Sequence, residues 1–361
     1  MSLFFGAALS SALVPRDYSA ITNILSDLFV SASHLLYNAM AKIAKIASEA
    51  PSGTASWEAW PIWIAILWYL TFISFSYWGR LRTARVLGLL STSIMLSYWA
   101  FTPIWNRLNP ELTVDVIDIG QGDAILIKTP NGRTLLVDTG PGSYGEGARL
   151  VNHLKARGGR PDLLLITHPH ADHWGGVAFL AENNLLPSKI ILPKGETRRK
   201  SKGWESTKEL LLASKAQIEI AGSGQIVLDS HLKIDLHQPG FQKKPLQNPN
   251  DLSLVLDIRW NEQGILFTGD LENQPEVDFA LRHSPPAQLK LFKAGHHGSA
   301  NATQELFLDD WKPEEIVISC GQPNRYQHPT PEMMGRAIRR KIPLRRTDEE
   351  GTIQYKWRLN D

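Results

Sequence analysis

The sequence predicts an α/β sandwich, two sheets enclosed by helices, preceded by a short all-α transmembrane region. Three observations lead there. From Leu112 onward, short β-rich runs alternate with segments of helical period. Ligand-type side chains stand at the ends of several apolar runs, and long uncharged stretches are confined to the part before Asn106. The alternation alone leaves a three-layer α/β arrangement open. A chain of 361 residues has room for two domains, or for one domain and a membrane portion. We divide it into an N-terminal helical or membrane-associated segment with its linker (1–55), a transmembrane helical hairpin (56–109) and a mixed α/β domain (110–361).

In chain order, LFFGAALSSALV resembles the apolar part of a signal peptide without the basic residues that normally precede one. Residues 21–46 carry apolar side chains at helical spacing and suit an amphipathic or bundle helix. EAPSGTASWEAWP then breaks the pattern as a linker. Residues 61–78 hold no charge and come close to the roughly 20 apolar residues that span a bilayer; the stretch from Val86 to Trp105 does the same, with aromatic residues toward its C-terminal end. Arg80, Arg82 and Arg85 lie in the short connection, so the positive-inside rule puts that connection in the cytoplasm and all that follows Trp105 outside. The alternative is a pair of buried core helices.

In the last domain LTVDVIDIG, DAILIKT, RTLLVDTG, KIIL, SHLKIDLHQP, DLSLVLDI, GILFTGD and EIVIS read as strands, and ARLVNHLKARG and WESTKELLLASK as helices. A formal net charge of +2 gives no global case for a nucleic-acid partner, so any such case rests on local basic clusters. The single cysteine, Cys320, excludes intramolecular disulfides and Cys-rich zinc sites and reads as a small buried hydrophobe in a strand.

Four separated stretches put polar ligands at the end of an apolar run: DTG (138–140), HPHADH (168–173), FTGD ending at Asp270, and KAGHHGS (293–299). A loop leaving a strand can turn His168, His170, Asp172 and His173 toward one point. Imidazole and carboxylate together suit zinc, manganese or iron, and a bridging carboxylate can hold two such ions. Any one of these histidines alone would read as a core or surface group. IDIGQGDA is either a tight turn with Asp118 and Asp123 as local caps or a loop at the mouth of a site.

The order H-x-H-x-D-H, then Asp in TGD, then His in HHGS resembles the metallo-β-lactamase superfamily, which implies an αββα sandwich with a dinuclear site at its mouth. More narrowly, IDIGQGDA, VDTG, THPHADHWGG, LFTGD, KAGHHGS and CGQPNRYQHP, spread over residues 114–329, are similar to the C-terminal domain of the ComEC family of bacterial DNA-internalization competence proteins, and the hairpin resembles that family's last membrane helices. Family members carry a large multi-helix channel. The chain has room only for the tail, which implies a natural fragment of a split protein or a channel supplied elsewhere.

Carried over by position, the resemblance makes His168 and His170 ligands of one metal, Asp172 and His173 ligands of the other, and Asp270 the bridge. His297 would complete the second metal and leave His296 to face the substrate, with the reverse assignment equally open. A further ligand of the first metal is expected between HPHADH and TGD. His231 and His237 read as core or surface groups, and Asp251 in NPNDLSL is the substitute. Asp138 would orient a metal-bound histidine, with Asp118 and Asp123 as further supports.

Two divalent ions, zinc or manganese, would lower the pKa of a shared water toward neutrality and stabilise charge on an attacked phosphorus or carbonyl. Asp172 is counted with the catalytic groups as well as the ligands, and His296, His328, Lys293 and Arg325 are candidate donors or acids for a leaving oxygen. KGETRRKSKGW groups Lys194, Arg198, Arg199, Lys200 and Lys202, and RAIRRKIPLRR groups Arg336, Arg339, Arg340, Lys341, Arg345 and Arg346. Either is a solvated face or, beside the mouth, a phosphate-neutralising one. The resemblance thus implies a membrane-tethered nuclease that degrades the non-transported strand on the external face of the cytoplasmic membrane, with DNA, the membrane and a separate channel subunit or other competence proteins as partners. Alternatives are hydrolysis of another ester, such as choline phosphate, a lactone or a β-lactam, and a non-catalytic module that binds DNA or a channel.

Overall fold

The structure is a computed structural model that describes residues 62–76, 82–195, 197–198, 201–240 and 246–359, with position 38. The readings made for segment 1–55, apart from position 38, and for Arg80, Arg199 and Lys200 lie outside the described residues.

Two helices, α1 (Ile62–Ser76) and α2 (Arg82–Leu108), come first. Thr71 Oγ1 and Ser91 Oγ meet at 2.6 Å and the rings of Trp63 and Tyr98 at 5.0 Å, so the pair packs as a hairpin. Trp68, Tyr69, Phe72, Leu90 and Trp99 remain exposed. Among the described residues one helix is long and apolar enough to cross a membrane, over Arg82–Phe101. α2 gives way to β1 (Glu111–Val116) within two residues.

β2 (Ile125–Lys128), β3 (Thr134–Val137), α3 (Tyr144–Ala156), β4 (Leu163–Leu165), α4 (Ala171–Trp174), α5 (Val177–Glu182), β5 (Lys189–Pro193), α6 (Lys202–Ala213) and β6 (Gln217–Ala221) complete the first half. The second runs through β7 (Gly224–Ile226), β8 (Lys233–His237), β9 (Val255–Trp260), β10 (Gln263–Phe267), α7 (Asn273–Arg282), β11 (Gln288–Lys293), α8 (Glu305–Trp311), β12 (Ile316–Ile318), α9 (Pro331–Arg339), β13 (Leu344–Arg346), α10 (Thr347–Glu350) and β14 (Ile353–Arg358). The strands form two sheets of seven, ordered β14-β1-β2-β3-β4-β5-β6 and β13-β12-β11-β10-β9-β8-β7.

Alternation along the strands decides the layers. Leu112, Val114 and Val116 of β1 meet Leu256, Ile258 and Trp260 from the β9 side in the core between the sheets. The opposite faces are apolar too. Leu126, Leu136 and Leu164 pack on Leu150, Leu154, Leu180 and Leu211 of α3, α5 and α6. Leu266, Phe292 and Ile316 pack on Phe279, Phe307, Trp311 and Met333 of α7, α8 and α9. Sheets buried on both faces account for near-continuous apolar runs such as LLLI at 163–166. The result is an αββα sandwich.

Register fixes where the ligand-bearing loops emerge. Val116 pairs with Ile125 and Ile125 with Val137, so the C-terminal ends of β1 and β3 share one pole with the start of β2. β3 and β4 are parallel, as are β10, β11 and β12, and their C-terminal ends supply the mouth. Glu111, next to α2, lies at the opposite pole, one strand length or about 20 Å away.

Candidate metal centre

The loop after β4 carries His168, His170, Asp172 and His173, with His170 at the N-terminal boundary of the one-turn helix α4. This loop needs close backbone approach on two sides. A Cβ on Gly122, whose φ is +145°, would stand 2.3 Å from the Asp172 carbonyl oxygen, and one on Gly176 would stand 2.2 Å from that of Thr139. Glycine permits both, and Asp123 N then donates to Asp172 O at 3.2 Å.

Asp270, delivered by the turn after β10, lies at the centre. Its Oδ2 is 3.2 Å from His173 Nε2, 3.6 Å from both His168 Nε2 and His297 Nε2, and 3.8 Å from His296 Nε2. Asp172, His173, Asp270 and His297 offer donor atoms within 4.8 Å of one another, as do His168, His170 and Asp270. Asp270 thus belongs to both sets. His168, His173, Asp270 and His297 form a buried floor, while His170, Asp172 and His296 stand at the rim.

Both carboxylate oxygens of Asp270 and the Nε2 atoms of His173 and His297 are buried without a hydrogen-bond partner. Leaving so many polar atoms unsatisfied is costly. A nitrogen-and-carboxylate donor set converging on one space fits divalent cations of the zinc or manganese kind.

The remaining ring atoms are tied. His173 Nδ1 is bound to Asp138 Oδ2 at 2.7 Å, and Asp138 also accepts from Thr167 N and Oγ1, each at 2.7 Å. His297 Nδ1 donates to the Ser319 carbonyl at 3.0 Å, and His296 Nδ1 pairs with Glu272 Oε2 at 2.9 Å. His296 and His297 sit at φ 44° and 53°, left-handed backbone that costs about 1–3 kcal/mol per residue outside glycine and is held by the surrounding contacts. Burial alone would push His297 down, but Asp270 and Asp123 overcome it and carry it up to about 9. Asp172, though partly desolvated, is held well below the usual carboxylate range by His297 and His173. His328, half-buried at 5.3 Å between ring centroids from His296, is pushed down to about 4 by burial and by its histidine neighbours.

Several expectations need correction. Lys293 cannot face a substrate: it is wholly buried, paired with Asp123 and bonded to the Gly269 carbonyl. Asp251 is not in either donor set; its neighbour Asn250 turns inward instead, its Nδ2 3.3 Å from His296 Nδ1. Asp118 holds its own turn through Gly120 N and pairs with Arg149 at 3.0 Å, whereas Asp123 lies beneath His297 at 3.3 Å. Arg339 and Arg340 are engaged with Glu305 and Asp309 on α8, Arg345 with Glu350, and Arg346 with Asp348, so these four arginines are charge-compensated. Arg336 donates to the carbonyls of Ala300, Ala302 and Thr303. Arg198 is exposed in the loop after β5.

His231 pairs with Asp229 at the surface, and His237 packs on His283, away from the donor sets. Cys320 is buried just past β12. The supporting roles of Thr167 and the Ser319 carbonyl have no mark in the sequence. Glu272 alone carried a signal, an acid two residues beyond Asp270.

The chain is 31% identical to ComE operon protein 3 of Bacillus subtilis (strain 168) over 71% of its own length and 34% of the relative's. It is 27% identical to Competence protein ComA of Neisseria gonorrhoeae, covering 68% of this chain and 32% of that protein. The chain therefore spans about a third of the length of these curated relatives. Among solved structures, a metal-dependent hydrolase of the beta-lactamase superfamily superposes with a TM-score of 0.48 at 14% identity, over 68% of this chain and 99% of that one. The sequence of residues 117–322 matches the Metallo-beta-lactamase superfamily, and with more than half of its length in that match the chain belongs to it.

Proposed function

We propose that the chain is a metal-dependent phosphodiesterase, a nuclease that acts on DNA during uptake and degrades the strand that is not transported. The observation that carries this reading is the pair of donor sets sharing Asp270, with its two carboxylate oxygens and the facing Nε2 atoms of His173 and His297 buried and unpartnered. His168, His170 and Asp270 would hold one cation, and Asp172, His173, His297 and Asp270 the other. Cations so held would supply Lewis-acid charge and lower the pKa of a water for attack at phosphorus.

The chain's own residues do the rest. Asp138 fixes the tautomer of His173, and the Ser319 carbonyl does so for His297. Glu272 accepts from His296 Nδ1–H and so turns the His296 Nε2 lone pair toward the centre, while His328 can donate a hydrogen bond to an oxygen of an entering diester. His328, held near 4, is neutral at neutral pH and acts there as a hydrogen-bonding group. Lys293 acts at one remove, by holding Asp123 beneath His297.

The name of one curated relative, Competence protein ComA, supports competence as the setting. The exposed apolar surface of α1 and α2 supports a membrane tether, and the Arg-bearing start of α2 supports a catalytic domain on the external face, for which a separate channel subunit or other competence proteins would be partners. The test uses the full chain in detergent with labelled single- and double-stranded DNA, with and without zinc or manganese. Cleavage should require metal and vanish in Asp270→Asn and His297→Ala while DNA binding is largely kept. A parent that hydrolyses small esters but no nucleic acid with either metal would transfer the assignment to ester hydrolysis.

A further inference from the structure

From the buried floor of the centre a row of rings leads outward. Ring centroids are 6.1 Å apart for His297 and His296, 5.3 Å for His296 and His328, and 6.0 Å for His328 and Tyr326. Exposure rises along it, from 1% at His297 to 49% at Tyr326. Against Tyr326 lies the Arg325 guanidinium, 4.9 Å from the ring centroid and donating to the phenol oxygen at 2.7 Å. Arg339, Arg340, Arg345 and Arg346 all have carboxylate partners. Among the described residues Arg325 has no carboxylate within ion-pair distance, and its charge remains available.

The loop that carries this pair is braced. Asn324 Nδ2 donates to the carbonyls of Gly321 and His328 at 2.9 and 2.5 Å, and its Oδ1 accepts from His328 N at 3.0 Å. The brace lies at the base, and Arg325 and Tyr326 are at the tip. Tyr326 contributes to none of the three cores, so packing does not account for an aromatic side chain there. A half-exposed ring beside an uncompensated guanidinium, on a closed loop at a phosphodiesterase mouth, matches the chemistry of an unpaired nucleotide. The flat base stacks on the ring and the phosphate meets the cation.

We propose that Tyr326 and Arg325 form a shelf for an unpaired nucleobase and its phosphate, so that the strand reaching the centre is single-stranded. The inference rests on the phosphodiesterase reading above. A paired duplex keeps its base faces in its own stack and would have to fray before using the shelf.

The test uses the full chain in detergent and a single-stranded oligonucleotide carrying 2-aminopurine, whose fluorescence is quenched by stacking. With chelator present, binding to the parent and to Tyr326→Phe should quench it, and binding to Tyr326→Ala should not. With manganese, KM for the single strand should rise roughly 5- to 100-fold in Tyr326→Ala, with a smaller change in kcat, and Tyr326→Phe should stay near the parent. Arg325→Ala should weaken binding and lower its salt slope by about one. Parent-like quenching and KM in a natively melting Tyr326→Ala, or equal KM for single strand and blunt duplex in the parent, would overturn the shelf. A parent that quenches the probe yet cuts no DNA overturns the nuclease reading and leaves the shelf standing. One that cuts DNA while Tyr326→Ala behaves like it removes the shelf alone.

Discussion

Asp138 illustrates how much of the centre depends on residues that need not touch a metal. Its carboxylate takes two bonds from Thr167 and one from His173, and its own backbone is left-handed at φ 60°. Removing such a partner of a ligating histidine typically lowers metal affinity about 10–100-fold. We expect that loss in Asp138→Ala, with the fold retained, when metal binding is titrated against a competing chelator. Glu276 tests burial away from the centre. Burial pushes its carboxyl up to about 7 even though it accepts from Gln304 N and Thr303 N. The unfolded chain releases this proton near the ordinary value of 4.5, so the contribution is fully present below that pH and is lost as pH rises toward 7. Thermal melts across this window should fall more steeply with pH for the parent than for Glu276→Gln. A Glu276→Gln variant with the parent's slope would assign the dependence elsewhere.

Among the elements, those that position the site were the ones legible in the sequence. β1 to β5 and β9 to β12 are apolar on both faces or sharply alternating, and the ligands crowd into short motifs directly beyond them. β6 and β7 are largely exposed edge strands, and β14 mixes Tyr, Lys, Trp and Arg, so none announces itself by pattern. Partners across space were illegible for a different reason. A run of arginines gives its charge but not the acids on α8 and α10 that meet it, and Lys293 ends an apolar strand with no sign that Asp123 is waiting. The pairing of Arg339 and Arg340 with Glu305 and Asp309 carries its own prediction. Replacing both arginines with Ala should leave the salt dependence of DNA binding at the parent slope, measured by titration at several ionic strengths, because these charges are already balanced. A slope lowered by one or two would return them to the phosphate-binding surface.

For the whole molecule, no residue before Leu112 enters any of the three cores among the described residues. A chain cut to 110–361 should therefore fold by itself and melt cooperatively when followed by circular dichroism; an unfolded or aggregated product would show that the hairpin is part of the domain. Cooperativity should be high in either case, because the sheets share one core and the IDIGQGDA loop links them, Ser319 Oγ donating to the Gly122 carbonyl at 2.6 Å.

The pairing of β1 with β14 has a consequence in time. Glu111 lies beside Arg358 and Val116 beside Ile353, so the first strand to follow α2 takes as its neighbour the last strand of the domain. Contacts so distant in sequence form late, because the intervening chain must be closed into a loop first. During synthesis the hairpin is finished long before its attached sheet can be completed, and until residues 353–358 arrive β1 is an edge strand with a bare row of amides. The helices can thus reach their destination while the segment behind them is still unfolded, and the metal ligands assemble only after the chain's far end has closed the first sheet.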